Sequence, residues 1–197
     1  DDHRVRAFAA DIQQASHQQE SIQSRIGANA IVAYVDVLDG RSDKGVARVL
    51  TAINELCGTS HAPGMHVALG RILLEACVRT NDPRHGLATA DRTLASAGSV
   101  QVFEAEVRRL RAHFLAALGA PLDDIMTELA RAETVARGQG AIAFEIRIGL
   151  DLARYGRRWR DEARTEAARR QLAELLAMRS HWGSNPDILD ATALLTN

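Results

Sequence analysis

The feature that most constrains this chain is a punctuation mark repeated at nearly constant spacing. Four segments share one form: "LDGRSDKGVARVLTAIN" from Leu38, "TNDPRHGLATADRTLAS" from Thr80, "LGAPLDDIMTELARAET" from Leu118 and "YGRRWRDEARTEAARRQ" from Tyr155. In each, one helical pattern stops at a glycine, an asparagine or a basic turn, and another starts within a few residues. Such stops favour residues that tolerate left-handed backbone, hence Gly40, Asn81 and Gly119. Asp43, Asp82 and Asp123 follow where a negative charge suits the positive end of the next helix. Aligning on a small or apolar residue early in each second helix selects Gly45, Gly86, Ile125 and Ala163, separated by 41, 39 and 38 residues. One turn later on the same face come Val49, Ala90, Leu129 and Ala167.

The segments before these stops carry apolar residues at spacings of three and four: "ANAIVAYVDVL", "MHVALGRILLEACV", "EAEVRRLRAHFLAAL" and "AFEIRIGLDLAR". In the third, Val107, Leu110, Phe114 and Leu118 form a stripe; in the fourth, Phe144, Ile148 and Leu152 do. "VRAFAADIQQASHQQESIQSRI" reads as an opening amphipathic helix and "NPDILDATALL" as a closing one. Aromatics make up only 4% of the 197 residues, and alanine about a sixth, so a core here is built from Ala, Leu, Ile and Val on a helical backbone. Two-helix units at this period are the signature of the tetratricopeptide type of repeat. The fold expected is therefore all-α: a tetratricopeptide-like α-solenoid, a right-handed superhelix of antiparallel helix pairs. One helical-repeat domain would span 1–197, with repeats near 28–60, 63–98, 102–140 and 141–180 and a terminal helix at 186–195.

"EVRRLRAHFLAALGAPLDDIMTELARAETVARGQGAIAFEIRIGLDLAR", with the later "NPDILDATALL", resembles the tetratricopeptide-like C-terminal region of bacterial signal-transduction ATPase regulators, a family fused to cyclase or DNA-binding domains. The likeness runs from about Glu104 to Leu195 and rests on Leu115–Gly119, Ala136–Ala141, Glu145–Arg154 and Pro186–Leu195. It implies a cytoplasmic bacterial module of signal transduction or transcriptional regulation that binds a protein, a peptide or a neighbouring domain. The ATPase, cyclase and DNA-binding domains of that family lie outside this chain. Its start at Asp1 rather than Met reads as a piece of something longer.

Catalytic chemistry finds little support in the residues. "GQGAIA" at Gly138–Ala143 spells a dinucleotide fingerprint, but that motif needs a preceding strand, and a helix precedes it. The only lysine, Lys44, precedes Gly45 and not a hydroxyl residue, so there is no phosphate loop. Cys57, His61, His66 and Cys77 do not follow a zinc spacing. His113 has no acid or nucleophile placed to make a dyad, and Asp123 with Asp124 is explained by the helix start. No catalytic, cofactor or metal site is expected, and no apolar run approaches the ~20 residues of a membrane span.

Two recognition surfaces remain. The repeat register projects Tyr34, Arg71, Glu75, Arg109, His113, Arg147 and Asp151 onto the inner, concave face as exposed binding residues. Arg154, Arg157, Arg158 and Arg160, with Trp159 between them, make a basic patch. The net charge of −1 lacks the broad positive footprint of a nucleic-acid binder, so a protein or peptide partner is the reading adopted. A helical ligand- or nucleic-acid-binding regulator is the alternative, followed by an enzyme using a cleft of the array.

Overall fold

A computed structural model describes residues 2–16, 22–57, 63–96, 101–178 and 185–196, and among these the chain is all-helical, with no strand. The helices are α1 (Asp2–Ser16), α2 (Ile22–Leu38), α3 (Ser42–Cys57), α4 (Pro63–Arg79), α5 (Pro83–Ser96), α6 (Glu104–Ala117), α7 (Leu122–Gly138), α8 (Ile142–Arg158), α9 (Glu162–Ala177) and α10 (Pro186–Thr196). A short 3-10 turn at Gln101–Phe103 leads into α6. The opening segment departs from the sequence reading. The helix expected to run through Ile26 is two helices, and α2 already begins at Ile22, because Ile26 is 2% exposed and belongs to the α2 core with Ala30, Ala52 and Leu69.

Five connections are built alike. Gly40, Asn81, Gly119, Gly140 and Arg160 each take a positive φ, between 53° and 81°. In each case the following N–H reaches back five residues to a helix carbonyl: Arg41 to Asp36, Asp82 to Cys77, Ala120 to Leu115, Ala141 to Ala136 and Asp161 to Gly156, all at 2.8–3.0 Å. This is the Schellman closure, which satisfies carbonyls left open at a helix end and turns the chain sharply back. Asp161 then caps α9 by accepting from the Arg164 N–H at 3.0 Å, and Asp82 accepts from the His85 N–H at the start of α5. Asp123 lies in the first turn of α7, and the Asp43 side chain lies outside the described residues.

Cross-contacts show that α8 and α9 run antiparallel. A Cβ on Gly149 of α8 would meet Leu172 of α9, while one on Gly156, seven residues later, would meet Thr165, seven residues earlier. Close approach is the reason for glycine at Gly45, where a Cβ would fall 2.7 Å from the Ala33 carbonyl oxygen, and at Gly86, where it would enter the Phe114 ring. Helix starts fix the true register of the fourth unit. Gly45, Gly86, Ile125 and Thr165 each donate to the carbonyl four residues back, at the residue preceding the helix. The fourth equivalent position is therefore Thr165, not Ala163. Ala163 and Ala167 are exposed, and Ala168, Leu172 and Leu175 carry the buried stripe of α9.

Every helix packs on its chain neighbours, and the even-numbered helices also form a row: α2 on α4, α4 on α6, α6 on α8 and α8 on α10. Among the described residues α3, α5, α7 and α9 form no such row, although Arg164 of α9 lies 3.7 Å from Asp123 of α7. The core is accordingly a string of four clusters, each taken from helices close in sequence. Val107, Leu110 and Phe114 of the α6 stripe are buried in it, but Leu118 is 41% exposed because the chain has already entered the turn.

Arg160 holds a left-handed conformation that costs a side chain about 1 kcal/mol or more, whereas Gly119 holds it freely. Arg160→Gly should raise unfolding stability by about 1 kcal/mol, and Gly119→Ala should lower it by a similar amount. Both are read as shifts of the urea midpoint at unchanged slope. Equal midpoints for wild type and Arg160→Gly would show that the turn carries no strain.

Candidate functional site

The row of even-numbered helices presents one face made of residues at helical spacing. Arg71, Glu75 and Arg79 lie one turn apart along α4, Glu106, Arg109 and His113 along α6, and Arg147, Asp151 and Arg154 along α8. All of these except His113 and Asp151, together with Tyr34 of α2, line a groove of about 510 Å³ to which α1 and α10 also contribute residues.

At the centre is a buried ion cluster. Glu106 is 1% exposed and accepts two hydrogen bonds from Arg109, at 2.8 and 3.0 Å, and one from Arg147 of α8 at 3.0 Å. Arg109 also donates to Asp151 of α8 at 2.6 Å. A buried charge is tolerated only when paired and hydrogen-bonded, and here every member is. Burial alone would push the Glu106 carboxyl up. The guanidinium groups of Arg109 and Arg147 outweigh it and hold that carboxyl below its usual range. Arg109 is likewise held more firmly charged, its burial being outweighed by Asp151 and Glu106.

Arginines at the edge of the cluster turn outward. Arg147 donates to Asp187 of α10 at 2.7 Å, and Arg154 donates to Asp190 at 2.8 Å while lying 3.5 Å from Asp151. Towards the other end, Arg79 pairs with Asp2 of α1 at 3.1 Å and lies 5.8 Å from the Tyr34 ring. Burial, then the Glu75 charge, raises the Tyr34 hydroxyl to about 12, so it stays neutral. The Arg71 guanidinium sits 5.4 Å from the Phe103 ring and makes no ion pair among the described residues.

Of the seven residues projected onto this face, Tyr34, Arg71, Glu75, Arg109 and Arg147 line the groove. Their expected exposure needs correction at two places. Asp151 is buried and the Arg109 side chain is 15% exposed, because Arg109 sits between Asp151 and Glu106 and pairs with both carboxylates. They support the face. His113 meets Phe114 edge-on at 5.8 Å, and burial lowers its pKa, which favours the neutral ring. Glu106, Arg79, Asp187 and Asp190 were not singled out from sequence; the signal available for the first was a glutamate within a mostly buried helix three residues from an arginine.

The basic patch divides. Arg154 belongs to the groove, whereas Arg158 lies 4.8 Å from the Trp159 ring, which itself packs on Tyr155 at 5.7 Å. Arg157 and Arg158 occupy the last turn of α8, where positive charge suits the helix dipole, and Arg160 forms the turn beyond. A second buried carboxylate, Glu128 of α7, gathers Arg108, Arg111 and Arg131 at 3.0–3.5 Å on the far side of α6 and acts as a structural clamp.

"GQGAIA" falls between α7 and α8 with no strand before it. Of the cysteine–histidine set, Cys77 is a buried free thiol raised to about 12 by burial and by Asp82. His61 and the side chains of Cys57 and His66 lie outside the described residues. Among the described residues no group of His, Cys, Asp and Glu could hold a metal ion, and no helix is long and apolar enough to cross a membrane. Compared with known proteins, the chain matches no family model, no curated protein and no solved structure.

Removing one member of a buried ion cluster leaves its partners uncompensated, so Glu106→Gln should destabilise the fold by about 3 kcal/mol at neutral pH. The folded carboxyl titrates below the unfolded value of about 4.3, so its contribution is present above that pH and is lost as the pH falls through the folded pKa. The gap between wild type and Glu106→Gln should therefore close below about pH 4 in urea titrations. A gap that stays constant from neutral pH into the acid range would remove Glu106 from the account.

Proposed function

We propose that the chain is a tetratricopeptide-like α-solenoid, a right-handed superhelix of antiparallel helix pairs, and that it is a non-catalytic module binding a peptide or protein segment on its inner face. The row of even-numbered helices and the serial core clusters support the architecture, since stacked two-helix units bury a continuous core and line a concave surface with one helix of each unit. One observation carries the functional reading. Side chains from α2, α4, α6 and α8 converge on a single groove of about 510 Å³ that keeps Arg71 without an acidic partner among the described residues. Its walls mix apolar residues with fixed charges: Ile31 and Ile72 lie beside Tyr34, Arg71 and Glu75. That composition suits a peptide read by hydrogen bonds and ion pairs over apolar contact. The resemblance to regulatory tails of bacterial signal-transduction ATPases supports this reading, with a neighbouring domain or a partner protein as the ligand.

Selecting a random peptide library against the full chain tests this. Binders of micromolar affinity should perturb backbone resonances of Tyr34, Arg71, Glu75 and Arg147, and Arg71→Glu should weaken them by about tenfold or more. Resonance changes confined to α3, α5, α7 and α9 would contradict the groove assignment.

A further inference from the structure

The terminal helix α10 is seated by apolar contacts and by arginines. Only Ala191 of its residues is buried. Ile188, Leu194 and Leu195 are partly covered by the cluster of Ile146, Leu150, Leu172 and Leu175, while Leu189 is 56% exposed. Three guanidinium groups also reach the helix. Arg147 and Arg154 take Asp187 and Asp190, as described above. Arg169 of α9 donates to the Leu194 and Leu195 carbonyls at 2.6 and 3.0 Å, at the end of α10 where carbonyls are unsatisfied.

This seat is built from groups that α10 does not supply. Glu106 fixes Arg147 and Asp151 lies beside Arg154, so both guanidinium groups are anchored from below and reach outward. Glu106, Asp151, Arg109, Arg147 and Arg154 together carry one positive charge in excess, which the two aspartates of α10 more than cancel. The exposed Arg154–Asp190 pair contributes little, the Arg147–Asp187 pair is only partly covered, and Ala191 alone of α10 is fully buried, so the helix is displaceable.

We propose that the seat on α8 and α9 is a docking site for an acidic amphipathic helix of a partner protein, which α10 occupies in cis as a competing ligand. The proposal rests on the groove reading above and names the partner's chemistry. Such a helix carries two carboxylates one turn apart, as Asp187 and Asp190 are, followed by small and large apolar residues in the places of Ala191, Leu194 and Leu195. A basic helix would set like charges against Arg147, Arg154 and Arg169. Displacing α10 would couple partner binding to release of the chain's own end, which is a population shift set by differential affinity.

The probe is a fluorescein-labelled synthetic peptide of the 185–196 sequence, titrated by anisotropy with the full chain. Asp187→Asn/Asp190→Asn, which loosens the cis helix, should bind it about tenfold more tightly than wild type. That affinity should fall between about 50 and 300 mM salt. Adding Arg154→Gln, with helix content checked by circular dichroism, should abolish the gain. The proposal is overturned if the double variant binds no better than wild type, or if Arg154→Gln leaves its affinity unchanged. A wild-type dimer lost on Arg154→Gln in sedimentation would make the occupant the α10 of a second copy, which also overturns a heterologous partner. If library peptides bind at Arg71 while this peptide binds neither form, the groove reading stands and the acidic-helix proposal falls. Failure of both removes both.

Discussion

Glu106 is the point from which the groove face is organised. A carboxylate 1% exposed at the centre of a helical array is unfavourable unless cations neutralise it. The chain brings Arg109 from the same helix and Arg147 from the next one. Arg109 then needs a second acceptor and finds Asp151, and Asp151 in turn lies beside Arg154. One buried charge thus fixes the separation and rotation of α6 against α8, and sets the direction in which two arginines leave the surface. Apolar packing alone leaves such choices more open, since aliphatic residues of similar volume exchange at modest cost.

The backbone supports this arrangement through repetition. Five left-handed turns reverse the chain, four after helices of 17 residues and one after a helix of 14, with little connecting structure between them. Glycines at Gly45, Gly86, Gly149 and Gly156 then allow the paired helices to approach closely. With short connections and close pairs, side chains at corresponding positions of α4, α6 and α8 fall on the same side of the row. The groove and the ion cluster both follow from that register. Function of the kind proposed requires no special segment, only a surface that a regular scaffold holds in place.

The helical class and the turns were legible because local sequence determines them. Gly40, Asn81 and Gly119 announce helix ends by their tolerance of positive φ, and apolar spacing shows which faces are buried. Arg160 announced its turn less plainly, because an arginine in that conformation is held by the turn's hydrogen bonds rather than by its own preference. For the same reason spacing alone misplaced the fourth register at Ala163, where the helix start puts Thr165. The groove residues were largely legible from the repeat, but their roles were not. Periodicity says that Arg109 and Asp151 share a side with Arg71; it does not say that they meet, 42 residues apart in sequence, and bury each other. Long-range ion pairs such as Arg147 with Asp187 leave no local signature at all.

The central claim is that a buried carboxylate on α6 orients an arginine on α8. A double-mutant cycle of Glu106→Gln and Arg147→Gln, read by urea unfolding, measures that coupling directly. Groups in one hydrogen-bonded ion network should couple by about 1 kcal/mol or more. Additivity within about 0.3 kcal/mol would mean that the two residues act independently and that the groove face is not organised from Glu106.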